Sequence, residues 1–139
     1  MRIRTFIPFA LGLFMASWIF LVTLVSVNIT PSMPRGIYLR LPVTGDIRVG
    51  DIVEFQNPMP EGYMGMNLDG VPLLKHVVAV SDDGTQLIVR GESERSYDSR
   101  YFGPLDASLV EARAYPLLTE SGPVGDQIIP LLLDKEQEE

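Results

Sequence analysis

Cysteine is absent, which removes disulfides, thiol nucleophiles and thiolate metal sites at once. Histidine occurs once, as His76, so a cluster of imidazoles around a metal is excluded as well. Lysine is almost as scarce: Lys75 and Lys135 stand against nine arginines. The formal charge is −7, and setting aside Arg2 and Arg4 leaves −9 for the rest of the chain. An acidic body of this kind argues against a nucleic-acid surface, which needs a basic face. With no metal site and no cofactor motif to lean on, any chemistry must come from Ser, Thr, Lys, Arg, Asp, Glu or Tyr.

What is present begins with a long apolar run. Arg2 and Arg4 precede an uncharged stretch that is densely apolar over residues 6–27. About 20 such residues cross the hydrocarbon core as a helix. A cleaved secretory signal has a shorter apolar region and a small-x-small site, and Val25-Ser26-Val27 is a poor one. The expectation is a retained signal-anchor: residues 1–5 cytoplasmic, residues 6–27 a transmembrane helix, residues 28–139 outside the membrane.

Past that run the pattern becomes strand-like. Ile37-Tyr38-Leu39 and Ile52-Val53-Glu54-Phe55 are short β-prone runs between turn residues. Residues 71–80, V-P-L-L-K-H-V-V-A-V, form the strongest strand pattern, with a hairpin partner expected over residues 86–90 after Asp82-Asp83-Gly84. Residues 57–72 carry six prolines and glycines and read as a long irregular loop. Residues 107–118 read as a last strand broken by Pro116, before a short apolar segment at residues 128–133 and an acidic tail. The fold class is therefore mainly β: a small antiparallel β-domain on one N-terminal transmembrane helix.

Two stretches carry candidate chemistry. Residues 28–38 read N-I-T-P-S-M-P-R-G-I-Y, setting Ser32 between Pro31 and Pro34. Residues before proline are pushed from the helical region, so Thr30 and Met33 are expected to be extended and the Ser32 hydroxyl to sit on a stiff segment beside the membrane. Lys75 lies inside the apolar strand. Alternation places it on one face with Leu73, Val77 and Ala79, while His76 faces the other way with Leu74 and Val78. A buried lysine loses its proton more easily and can serve as a general base. The plain alternative is an edge-strand lysine reaching into solvent. Serine and lysine together make the Ser-Lys form of an activated nucleophile, which needs neither histidine nor cysteine.

Four stretches, in order, resemble the type I signal peptidase superfamily, the membrane-anchored Ser-Lys leader peptidases. T-P-S-M-P is similar to that family's S-x-S-M-x-P box, and Val49 to Phe55 to its R-G-D-I-V-x-F. Lys75 to Asp83 corresponds to K-R-V-V-G-x-P-G-D, and Gly91 to Gly103 to G-D-N-x-x-x-S-x-D-S-R-x-x-G. S-M-P followed by Gly36-Ile37-Tyr38 looks closest to the conjugative-transfer branch, which processes pilin precursors. The resemblance implies Ser32 as nucleophile and Lys75 as general base. It implies the Thr30 hydroxyl and the Ser32 N–H as oxyanion hole, Ser96 as the residue orienting the amine, and Asp98–Arg100 as a structural ion pair. It further implies exported precursors with leader peptides as substrates, the lipid bilayer as the other partner, and the outer face of a bacterial cytoplasmic membrane as the location. Departures from the pattern fall at His76, at Ser81-Asp82-Asp83 and at Glu92-Ser93.

Two rival readings remain. A non-catalytic anchored β-domain serving a secretion or conjugation machine keeps the fold and needs no reactive Lys75. A Ser-His-Asp set using His76 and Asp98 is disfavoured by strand alternation, which turns His76 away from the face of Lys75.

Overall fold

A computed structural model describes residues 3–59, 65, 67–68, 70–120 and 122–123. Helix α1, Ile3–Thr23, is long and apolar enough to cross a membrane over Phe6–Thr23, and none of that stretch is buried. It stops four residues short of the expected boundary at 27. Val25–Asn28 is instead strand β1, because Val-Ser-Val-Asn alternates and its β-branched residues suit a pleat. Only Leu24 separates helix from strand, and its carbonyl accepts from Arg40 N at 2.7 Å.

The remaining elements are β2 (Gly36–Leu41), β3 (Ile52–Gln56), β4 (Pro72–Val80), β5 (Gln86–Arg90), the short helix α2 (Ser99–Phe102), β6 (Leu105–Asp106), β7 (Val110–Thr119) and β8 (Gly122–Pro123). All pairings are antiparallel, in the spatial order β1-β2-β7-β3-β4-β5-β6, with β8 beside β7. The last long strand starts later than expected, after a single 3-10 turn at Ala107–Leu109, and runs through Pro116 rather than breaking there. The expected loop at residues 57–72 lies partly, and the segment at 128–133 and the acidic tail entirely, outside the described residues.

Two apolar clusters fill the opposite faces of the sheet. Val53, Phe55, Val77, Leu87, Val89 and Leu105 make one; Met33, Tyr38, Leu74 and Ala114 make the other. Strand β4 feeds both, because Val77 points to the first and Leu74 to the second. Alternation along β4 does not hold to its end. The register slips between Val77 and Ala79, so Val80, not Ala79, returns to the face of Leu73 and Val77. Beneath the second cluster Glu54, nearly inaccessible, pairs with Arg40 at 2.6 Å across the sheet.

The β1 side of the sheet keeps an uncovered apolar face. The register aligns Val25, Leu39 and Tyr115 in one row and Val27, Ile37 and Leu118 in the next. Val27 and Leu118 are 65% and 56% exposed. Both rows begin within a few residues of the end of α1.

Candidate active site

Ser32 does not lie on an extended segment. Asn28 pairs with Gly36, so residues 29–35 form the loop joining β1 to β2, and Pro31 and Ser32 sit in a turn at its tip. The prolines stiffen the loop, but the strand pairing on either side of it folds it back on itself. Met33, buried in the second cluster, anchors one side. The Tyr38 hydroxyl holds the other, donating to Pro34 O at 2.6 Å. Burial first, then Glu92 and Glu120, pushes the Tyr38 phenol up to about 12, which keeps that donor protonated.

The Thr30 and Ser32 hydroxyls are 3.0 Å apart. Thr30 Oγ1 also donates to Asn28 Oδ1 at 2.8 Å. A threonine hydroxyl has one proton, so in this arrangement Ser32 Oγ must be the donor to Thr30. Asn28 was not singled out by its sequence. The clue was its spacing: an Asn two residues before a Thr can close an Asx-turn.

Lys75 is 2% exposed, which excludes the solvent-reaching lysine. Its amine makes no hydrogen bond among the described residues. Desolvation pulls its pKa from 10.5 down to about 8, with Asp98 pulling back up and Arg100 adding a smaller push down. At pH 7 roughly one molecule in ten then carries a neutral amine.

The loop after β5 meets both stretches. The register His76↔Arg90 sets Gly91 next in line against Lys75. From the other side Glu92 N donates to Ser32 O at 2.6 Å. A Cβ added to Gly91 would stand 2.1 Å from Ser96 Oγ and 2.6 Å from Ser32 O. Gly91 is thus the point where the serine turn, the lysine strand and Ser96 close on one another, and only a residue without a side chain fits. Ser96 Oγ is buried and has no hydrogen-bond partner among the described residues.

Asp98 secures this loop. Its fully buried carboxylate accepts from Arg100 Nε at 2.9 Å, Arg100 Nη2 at 2.7 Å and Gly91 N at 3.0 Å. Burial alone would raise its pKa, but these bonds outweigh burial and hold it below the usual carboxylate range. Arg100 also donates to Ser93 O, and Ser99 Oγ accepts from Val89 N, tying the loop to β5.

His76 lies on the opposite face of β4 and pairs with Glu92 at 3.2 Å. With Asp98 already taken by Arg100 and Gly91, no Ser-His-Asp set is assembled. An open cleft of about 380 Å³ borders the serine turn, lined by Pro31, Met33, Pro34, Arg35, Glu92 and Glu120. No group of His, Asp or Glu suited to hold a metal occurs among the described residues. Compared with protein-family models, curated proteins and solved structures, the chain matches none of them.

Proposed function

We propose that the protein is a membrane-anchored serine endopeptidase using a Ser32–Lys75 dyad, similar to type I signal peptidases, that removes leader peptides from exported precursors. The observation that carries this reading is the burial of Lys75 one step along the ladder from the His76–Arg90 pair, beside Gly91, where an added Cβ would collide with both Ser32 O and Ser96 Oγ. Ser32 Oγ turns from Thr30 toward the amine and forms a bond to the scissile carbonyl carbon while its proton passes to Lys75 Nζ. The carbonyl oxygen becomes an oxyanion held by the Thr30 hydroxyl and the Ser32 N–H. Collapse breaks the C–N bond, and the ammonium returns its proton to the departing amine. Water, deprotonated by the same amine, then cleaves the ester and frees the new carboxylate. Ser96, a buried hydroxyl without a partner, is suited to hold the amine in line.

The membrane supports this chemistry by bringing enzyme and leader into one plane. The two apolar rows on β1, β2 and β7 begin at Val25 and Val27, just past the end of α1, and in this reading they lie on the outer leaflet. The absence of cysteine allows a direct check in nanodiscs with fluorophores on single-cysteine variants at Val27, Leu118 and, as a remote control, Ser108. Lipid-borne quencher is expected to dim the first two and spare the third; equal quenching by aqueous iodide at all three contradicts the placement.

Cleavage itself is tested by mass spectrometry of candidate exported precursors co-reconstituted with the parent chain or with Ser32→Ala. A new terminus that appears only with the parent supports the peptidase. Identical products from both variants favour the rival, a non-catalytic anchored domain of a secretion or conjugation machine.

A further inference from the structure

The Asn28 side chain makes more contacts than any other polar group near the serine turn. Its amide nitrogen lies 2.9 Å from Met33 O, 3.0 Å from Thr30 O and 3.3 Å from Pro34 O. Its oxygen accepts from Thr30 N at 3.3 Å and from Thr30 Oγ1 at 2.8 Å. The orientation of the amide is forced, since the opposite flip would aim an oxygen at three carbonyl oxygens. Its two hydrogens serve the near pair of carbonyls, with Pro34 O sharing at longer range and receiving Tyr38 as its main donor. Asn28 itself is fixed by the β1–β2 ladder at Asn28↔Gly36. One side chain therefore ties residues on both sides of Ser32 to the end of a paired strand.

We infer that Asn28 is a positioning residue for the Ser32 nucleophile and the Thr30 oxyanion donor, an assignment that rests on the peptidase reading. In the resting arrangement Asn28 Oδ1 fixes the Thr30 oxygen 3.0 Å from Ser32 Oγ and holds the Thr30 proton. When a carbonyl oxygen enters and charge develops on it, that proton reaches the new acceptor by rotation about the Cβ–Oγ bond, with the heavy atoms already in place. The Ser32 proton, displaced from Thr30, is then free for Lys75. Such preorganisation acts on the transition state and hardly at all on ground-state binding.

The test uses the full chain in nanodiscs and a quenched fluorescent peptide with alanine at the first and third positions before the scissile bond. Asn28→Ala is expected to lower kcat roughly 10- to 100-fold with KM within about twofold, the size of loss that follows a misplacement near 1 Å. Asn28→Asp keeps an acceptor but sets a carboxylate against the carbonyls of Thr30 and Met33, and is not expected to restore the rate. In a Thr30→Val background the further loss from Asn28→Ala should shrink at least fivefold, because part of its work passes through Thr30. A merely structural role predicts losses that multiply independently. A second readout is independent of turnover: the Glu92 amide, bonded to Ser32 O, should exchange with solvent at least tenfold faster in Asn28→Ala. Unchanged kcat together with unchanged Glu92 exchange overturns the inference. If the parent and Ser32→Ala cleave the peptide equally, the peptidase reading fails instead, and the exchange rate alone decides whether Asn28 holds the turn.

Discussion

Lys75→Met is expected to abolish peptide cleavage, by at least ~10³-fold, while making the protein more stable at neutral pH. The two effects have one cause. Lys75 is 2% exposed, and its pKa falls from 10.5 to about 8 because burial leaves the charged form poorly solvated. Below pH 8 folded and unfolded chains both carry the proton, so the fold bears the full cost of the buried charge. Between about 8 and 10.5 the unfolded chain binds the proton and the folded chain does not, so the stability of the parent rises with pH through that window. The difference is on the order of 3 kcal/mol for this shift. Methionine fills similar space without charge. Its advantage in thermal unfolding should be largest below pH 8 and fade as pH approaches 10.5. A Met variant less stable than the parent at pH 7 would mean that the ammonium is well solvated after all.

Gly91→Ala should cost activity about 100-fold or more in a protein that still folds. The added methyl meets Ser96 Oγ at 2.1 Å and Ser32 O at 2.6 Å, and it follows directly the β5 residue paired with His76. The Ser96 hydroxyl can rotate away, but its Cβ, 2.7 Å from the added methyl, moves only with the backbone. Ser32 O cannot move without shifting the turn that carries the Ser32 hydroxyl, because Glu92 N holds it at 2.6 Å. Relief of overpacking of this kind costs typically about 1–3 kcal/mol, so the variant should still fold, as thermal unfolding would report. Full activity in Gly91→Ala would show that Ser32 and Lys75 do not depend on this close approach.

Local signals make much of this fold legible in the sequence. β-branched runs between glycines and prolines mark β2 to β5, whereas a lysine inside an apolar strand leaves burial and an edge position both open, and only the pairing of β4 on both sides excludes the edge. The errors arose where pairing overrode local pattern. Apolarity alone does not end α1 at Thr23, because the signal is the alternation of Val25, Ser26, Val27 and Asn28 against Leu39, Tyr38, Ile37 and Gly36. The prolines flanking Ser32 suggested extension, yet the same pairing closed them into a turn. The bulge at Val78 moved Ala79 off the face of Lys75, and a bulge has no signature in a run of valines. Asn28 and Glu54 escaped notice because their partners, loop carbonyls and Arg40, come together only through the fold.

The uncharged amine at Lys75 is the centre of the account, and kcat/KM against pH for the nanodisc-embedded chain reads it most directly. The account predicts a rate that climbs about tenfold per pH unit and levels off near pH 8, with the same profile in His76→Ala. A profile flat across that range, or a limb that disappears when His76 is replaced, would contradict it.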